Sequence, residues 1–126
     1  MLEFFTINRY ALIVRPSEAM IDWVNSVFPG DPIDFNQIKG HDNTDIFLIP
    51  EFDSPEDAEE WLQENFQTFL RHSLEAWSTD ERTWPKPLSW EQFDRLHDYS
   101  IESVVIDTVD DEYDEEYGEE YGEEDF

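Results

Sequence analysis

The chain has no cysteine, which excludes disulfides, thiolate metal sites and cysteine nucleophiles together and fits a reducing compartment. Glycine is nearly as scarce. Of the four glycines, Gly118 and Gly122 lie in the C-terminal tail, and Gly30 and Gly40 are too isolated to form a phosphate-cradling loop. Nucleotide binding by a P-loop or a Rossmann turn is therefore excluded. The three histidines, His41, His72 and His97, have no second histidine or carboxylate at metal-ligand spacing, and no HExxH pattern occurs. Solvated rim histidine is the default reading for His72. No apolar run approaches the roughly 18 residues of a membrane span, and no N-terminal signal pattern appears, so a cytoplasmic protein is expected.

Basic residues are the next shortage. Seven Lys and Arg face 33 Asp and Glu, a formal charge of −26. Residues 110–126 hold 11 of those acids and no base, which leaves 22 acids against 7 bases on residues 1–109, a balance of −15. The acidity thus belongs to the body as well as to the tail. Such a field repels nucleic acid and anionic lipid and attracts basic proteins or cations, over a range of about 10 Å at ordinary salt. Direct nucleic-acid or membrane binding is not expected.

Rings are what the chain has in plenty: 10 Phe, 5 Tyr and 5 Trp supply enough apolar surface for one modest core in a chain of 126 residues. The body should fold as one domain, residues 1–109, with 110–126 as an acidic low-complexity tail.

The longest legible stretch runs from residue 45 to 77. Asp45 to Phe52 reads as a buried central strand closed by Pro50. Asp53-Ser54-Pro55-Glu56-Asp57 is a helix start: Ser54 can cap, Pro55 loses nothing at the first helical position, and the acids face the positive end of the dipole. At about 100° per residue, Ala58, Leu62, Phe66, Phe69, Leu70, Leu74 and Trp77 share one face. Asp57, Glu60, Glu64, Arg71 and Glu75 fall opposite. Trp61 sits at the rim with Asn65, Thr68 and His72, which suits a ring covering the core edge and also suits an aromatic anchor beside charge.

Ahead of this stretch, Phe4 to Val14 reads as a strand ending at Arg15-Pro16. Ser17 then caps a helix reaching Phe28, which Pro29-Gly30-Asp31-Pro32 stops. Residues 29–44 form a loop with one helical turn at Asp34 to Ile38. After the long helix, 78–88 is a connector pinned by Trp84. Ser89 and Gln92 make a capping-box pattern opening a short helix to about His97, with Trp90, Phe93 and Leu96 inward. Ser100 to Thr108 is the third strand. The order β-α-β-α-α-β, with one helix between the first two strands, favours a parallel first pair and an antiparallel third strand. The expectation is an α+β fold: a small mixed three-stranded sheet, helices mainly on one face, and a disordered tail.

The segments NRYALIVRP, DIFLIPEFD, EAW, WPKP and SVVIDTVDD together resemble a group of small, acidic bacterial proteins of uncharacterised function. The resemblance spans roughly residues 8 to 111 and leaves the tail outside. It implies a bacterial globular domain and no activity.

Chemistry is not indicated. Carboxylates are so abundant that pairing any two says nothing about glycosidase chemistry. His72 and Ser73 point about 100° apart on a helix, and no nucleophile elbow exists. Asp31, Asp34, Asp42 and Asp45 could gather round a divalent ion, but they lack the EF-hand pattern, and a solvated acidic loop is the simpler reading. No enzyme, metal site or cofactor is expected. The tail presents Tyr113, Tyr117 and Tyr121 between acid pairs. It reads either as a solubilising extension or as a mimic of nucleic acid for a basic groove. The leading expectation is an interaction protein that binds or inhibits a basic partner, such as a nucleic-acid-binding protein or a nuclease. Its contact residues are Trp61, Asp57, Glu60, Glu64 and Glu75 with the three tail tyrosines. The alternative is a salt-adapted or cation-binding domain.

Overall fold

The computed structural model describes residues 2–38 and 43–109. The tail with Tyr113, Tyr117 and Tyr121, and the loop positions His41 and Asp42, lie outside the described residues. In chain order the elements are β1 (Phe5–Thr6), β2 (Tyr10–Pro16), α1 (Glu18–Val27), α2 (Phe35–Ile38), β3 (Asp45–Ile49), α3 (Pro55–Trp77), α4 (Trp90–Leu96), β4 (His97–Glu102) and β5 (Ile106–Asp107). A single 3-10 turn, Glu81–Thr83, interrupts the connector between α3 and α4. The fold is α+β, with a three-stranded sheet ordered β3-β2-β4 and a two-stranded sheet β1-β5.

Both pairings in the larger sheet are antiparallel, so the expected mixed sheet with a parallel first pair is corrected. The register gives the reason. Val14 at the end of β2 faces Asp45 at the start of β3, so the chain begins β3 at the end of the sheet it left through Ser17. Helix α1 and the connector 28–44 together form a closed excursion. A crossover would require the helix alone to carry the chain to the far end.

The central strand is β2, not the 45–52 stretch; β3 is an edge and stops at Ile49. Burial follows from that placement. Strand β2 is buried at Tyr10, Ala11, Leu12 and Val14, whereas β3 is buried only at Ile49. The first and third expected strands are each broken in two. Thr6 pairs with Ile106 and Ala11 with Glu102, five steps along one strand against four along the other. One extra residue between Ile7 and Tyr10 therefore shifts the register, as a bulge does, and turns the β1-β5 ribbon off the main sheet.

The helix starts form as read. Ser17, Ser54 and Ser89 each accept a hydrogen bond from the backbone N–H three residues on, at Met20 (3.4 Å), Asp57 (3.2 Å) and Gln92 (3.2 Å). The capping box at Ser89 is only half made. The Gln92 amide instead donates to the Pro87 carbonyl at 3.2 Å, and its oxygen accepts from Arg95.

Tyr10, Leu12 and Val14 of β2 meet Met20 and Val24 of α1, Leu62, Leu70 and Leu74 of α3, and Phe93 and Leu96 of α4 in one core. Each fully buried Leu contributes roughly 2 kcal/mol by area removed from water. Trp84 does pin the connector: it is buried, and its indole N–H donates to the Ser78 carbonyl at 2.9 Å. The opposite face of the sheet is not covered by these helices. It exposes Ile46 (67 %) and Leu48 (58 %), which the register places beside Ile13 and Ala11.

Candidate functional site

Helix α3 sets the geometry. Its cap fixes the starting phase, and its apolar face docks through Ala58, Leu62, Leu70 and Leu74, all fully buried. Once that face is down, Trp61 has one position, at the seam between α3 and β3, half-buried. Its ring lies 5.8 Å from that of Phe52 and 6.0 Å from that of Phe69. Phe52 meets Tyr10 at 5.5 Å, and the Tyr10 hydroxyl donates to the Phe52 carbonyl at 2.9 Å. Phe69 meets Phe47 at 5.0 Å, and Phe47 meets His72 at 5.6 Å. A continuous row of rings therefore lines the seam, mostly edge to face, the geometry aromatic quadrupoles favour.

The five tryptophans divide by what their indole N–H groups meet. The indole N–H groups of Trp23 and Trp84 donate to the Thr83 and Ser78 carbonyls at 2.8 and 2.9 Å. Among the described residues, those of Trp61, Trp77 and Trp90, all half-buried, meet no acceptor, so a free donor is not peculiar to Trp61. A half-buried ring with a free donor presents the polar handle that makes Trp useful at interfaces.

On the same helix, Asp57, Glu60, Glu64 and Glu75 are all exposed. Asp57, Glu64 and Glu75 lie within about 60° of Trp61 around the helix, and Glu60 about 100° away. None of the four forms an ion pair among the described residues. The arginine on this side, Arg71, turns to Glu81 at 3.9 Å, its guanidinium 5.8 Å from the Trp84 ring centroid. The stripe therefore keeps its charge. Asp57, Glu60 and Glu64 lie within about one helical turn of Trp61, whereas Glu75 stands about 21 Å further along the helix axis; Tyr113, Tyr117 and Tyr121 are outside the described residues.

Edge strand β3 borders this seam. Among the described residues nothing pairs with its outer edge. Asp45, at its start, faces His72 Nε2 at 3.7 Å, so the rim histidine has a carboxylate neighbour from another element. Among the described residues no three His, Asp or Glu side chains converge to hold a metal ion, and Asp42 of the acidic loop lies outside them. No helix among them is long and apolar enough to cross a membrane.

The residue that sequence reasoning missed is His97, only 4 % exposed at the junction of α4 and β4. Its Nδ1 lies 2.8 Å from the Phe93 carbonyl, and its ring 4.5 Å from the Phe93 ring. Because a carbonyl only accepts, Nδ1 carries the proton and neutral Nε2 is a bare acceptor. Among the described residues that Nε2 is buried and meets no partner. Burial, the dominant cause, pushes its pKa below the ordinary histidine value, against smaller opposing effects of the Phe93 carbonyl, Asp98 and Asp45. The spacing carried a clue: His97 stands four residues after Phe93, on the buried face of the short helix continued by one residue.

Comparison of the chain with family models, with curated proteins and with solved structures yields no match.

Proposed function

We propose that this is a non-enzymatic acidic interaction protein that binds a basic partner protein and blocks the cationic surface it covers. A nucleic-acid-binding protein or a nuclease is the partner class whose surface chemistry fits. Neither nucleic acid nor a membrane surface is a direct ligand in this reading, because both are anionic. The observation that supports it most is the row of exposed acids Asp57, Glu60 and Glu64, without ion pairs among the described residues, within about a turn of the half-buried Trp61 ring, with Glu75 further along the same helix. Charge of this kind raises the rate of encounter, whereas a desolvated aromatic beside it lengthens the stay. The tail adds 11 more acids with tyrosines at regular intervals, a second, sequence-encoded contact for the same partner.

The test is capture from a native lysate on immobilised full-length protein, at low and at molar salt, with mass-spectrometric identification. The reading expects a basic protein at low salt, depleted when screening removes the steering charge. Recovery of no basic protein under either condition would remove it.

A further inference from the structure

Helix α3 has two flanks with different neighbours. On one, Glu59 accepts from the Tyr99 hydroxyl of β4, Phe66 meets Trp90 at 5.9 Å, and the Gln67 amide donates to the Leu88 carbonyl at 3.2 Å. The other flank follows β3 from end to end. Trp61 meets Phe52, just past Ile49; Phe69 meets Phe47; and His72 Nε2 faces Asp45 at 3.7 Å. The helix therefore runs back along the edge of the sheet that nothing pairs with among the described residues.

A strand added at that edge lies about 4.8 Å beyond β3, and its side chains alternate between two surfaces. Those on the inner side come up against the flank of α3. There Asp57 and Glu64 stand near the Phe52 end and Glu75 about one turn past His72 at the Asp45 end, all exposed and within about 60° of Trp61 around the helix. Those on the outer side lie beside Ile46 and Leu48, both exposed. One face is thus charged and the other aliphatic. From Asp57 to Glu75 is about 27 Å of helix, roughly the length of eight residues of strand, and like-facing side chains of a strand recur about every 6.8 Å. A second copy of this chain fits the edge poorly at ordinary salt, because it brings the same acids and a net charge of −26.

We propose that the outer edge of β3 takes an extended segment of a basic protein as a further strand. Lys or Arg at every second position turns towards Asp57, Glu64 and Glu75, and the aliphatic residues between them turn towards Ile46 and Leu48. The inference rests on the reading of this chain as a binder of basic proteins and adds the form of the recognised segment. Backbone hydrogen bonds to the free edge give affinity, and the alternation gives selectivity. A segment with bases on both faces sets half of them over Ile46 and Leu48 and away from the acids.

The experiment titrates two blocked octapeptides of one composition into the full-length protein at low salt and follows amide hydrogen exchange. Val-Lys-Val-Arg-Val-Lys-Val-Arg sorts its bases to one face of a strand; Val-Val-Lys-Arg-Val-Val-Lys-Arg divides them between both. The first should bind at least about fivefold more tightly and slow exchange at the alternate amides of Asp45–Ile49 that point away from β2. Ile46→Thr with Leu48→Thr, exposed changes that keep strand-forming residues, should weaken the first peptide to within about twofold of the second. Equal affinities with β3 exchange unchanged would overturn the added strand and leave the general attraction for basic proteins intact. Binding of neither peptide would overturn it as well, and capture from the lysate then decides the wider reading by itself. Slow exchange at the outward β3 amides of the peptide-free chain would also overturn it. The occupant is then a second copy where that protection grows with protein concentration, and the chain's own sequence where it does not.

Discussion

His97 is held neutral by its surroundings, and that choice has a measurable consequence. Burial lowers its pKa in the folded chain relative to the unfolded one, where the ordinary value of 6.5 applies. Below that value the unfolded chain binds the proton more readily, so folding stability falls as pH falls. The contribution is fully present above about pH 6.5 and is lost towards acid, at no more than about 1.4 kcal/mol per pH unit. His97→Gln removes the titration and retains an amide donor for the Phe93 carbonyl. Between pH 7.5 and 5.5, chemical denaturation should show the wild type losing more stability than the variant, by at most about 1.4 kcal/mol; parallel curves would contradict a buried neutral imidazole. The comparison with the variant cancels the titration of the acidic surface. At this scale sequence reading was uneven. Ser17, Ser54 and Ser89 were legible because a cap is a local bond between residues three apart. His97 was not, because its burial is set by Ser17 and α1 closing over the α4–β4 junction, where the Ser17 N–H donates to the Leu96 carbonyl at 2.9 Å.

Among the elements, α3 was readable almost to the residue, since one helix face carries its whole pattern. The strands were not. A strand of alternating or continuous apolar residues looks the same at an edge as at the centre, and only the register shows that Ile46 and Leu48 of β3 face away from the helices. Parallel and antiparallel pairing were likewise indistinguishable locally, because the return of the chain is made by the connector 28–44, which has little periodic sequence. The exposed edge leads to a prediction. An edge strand with two exposed aliphatic side chains is a template for pairing with a second copy, and here the like charge of the molecules opposes it. Screening should release that opposition. In molar salt, light scattering after gel filtration should detect self-association, and Ile46→Thr with Leu48→Lys should abolish it. A monomer in molar salt at high protein concentration would show that the edge is protected by something other than charge.

For the whole molecule, charge is the dominant unspent energy. Among the described residues the ion pairs are Arg71 with Glu81 and Arg82 with Asp80, both between exposed partners and so worth little, and His72 faces Asp45 at 3.7 Å. Most of the −26 is uncompensated. Melting temperature should therefore rise with salt, and truncation after Val109, which removes 11 acids and none of the core, should leave stability equal or higher and the salt dependence weaker. A truncated chain without a cooperative transition would show that the tail docks on its own domain.

The central claim, that the Trp61 seam with its acidic stripe is the contact surface, is tested most directly by the dissociation rate of a captured basic partner from Trp61→Ala, measured under conditions where the variant is fully folded. The ring is half-buried, so its loss should cost about 1–2 kcal/mol of stability through packing alone. If the seam is the interface, dissociation should in addition become roughly thirtyfold faster, corresponding to about 2 kcal/mol of affinity. Over the same range Glu60→Gln and Glu64→Gln should slow association, chiefly at low salt. A dissociation rate in Trp61→Ala equal to that of the wild type would contradict the claim and place the partner on another face of the molecule.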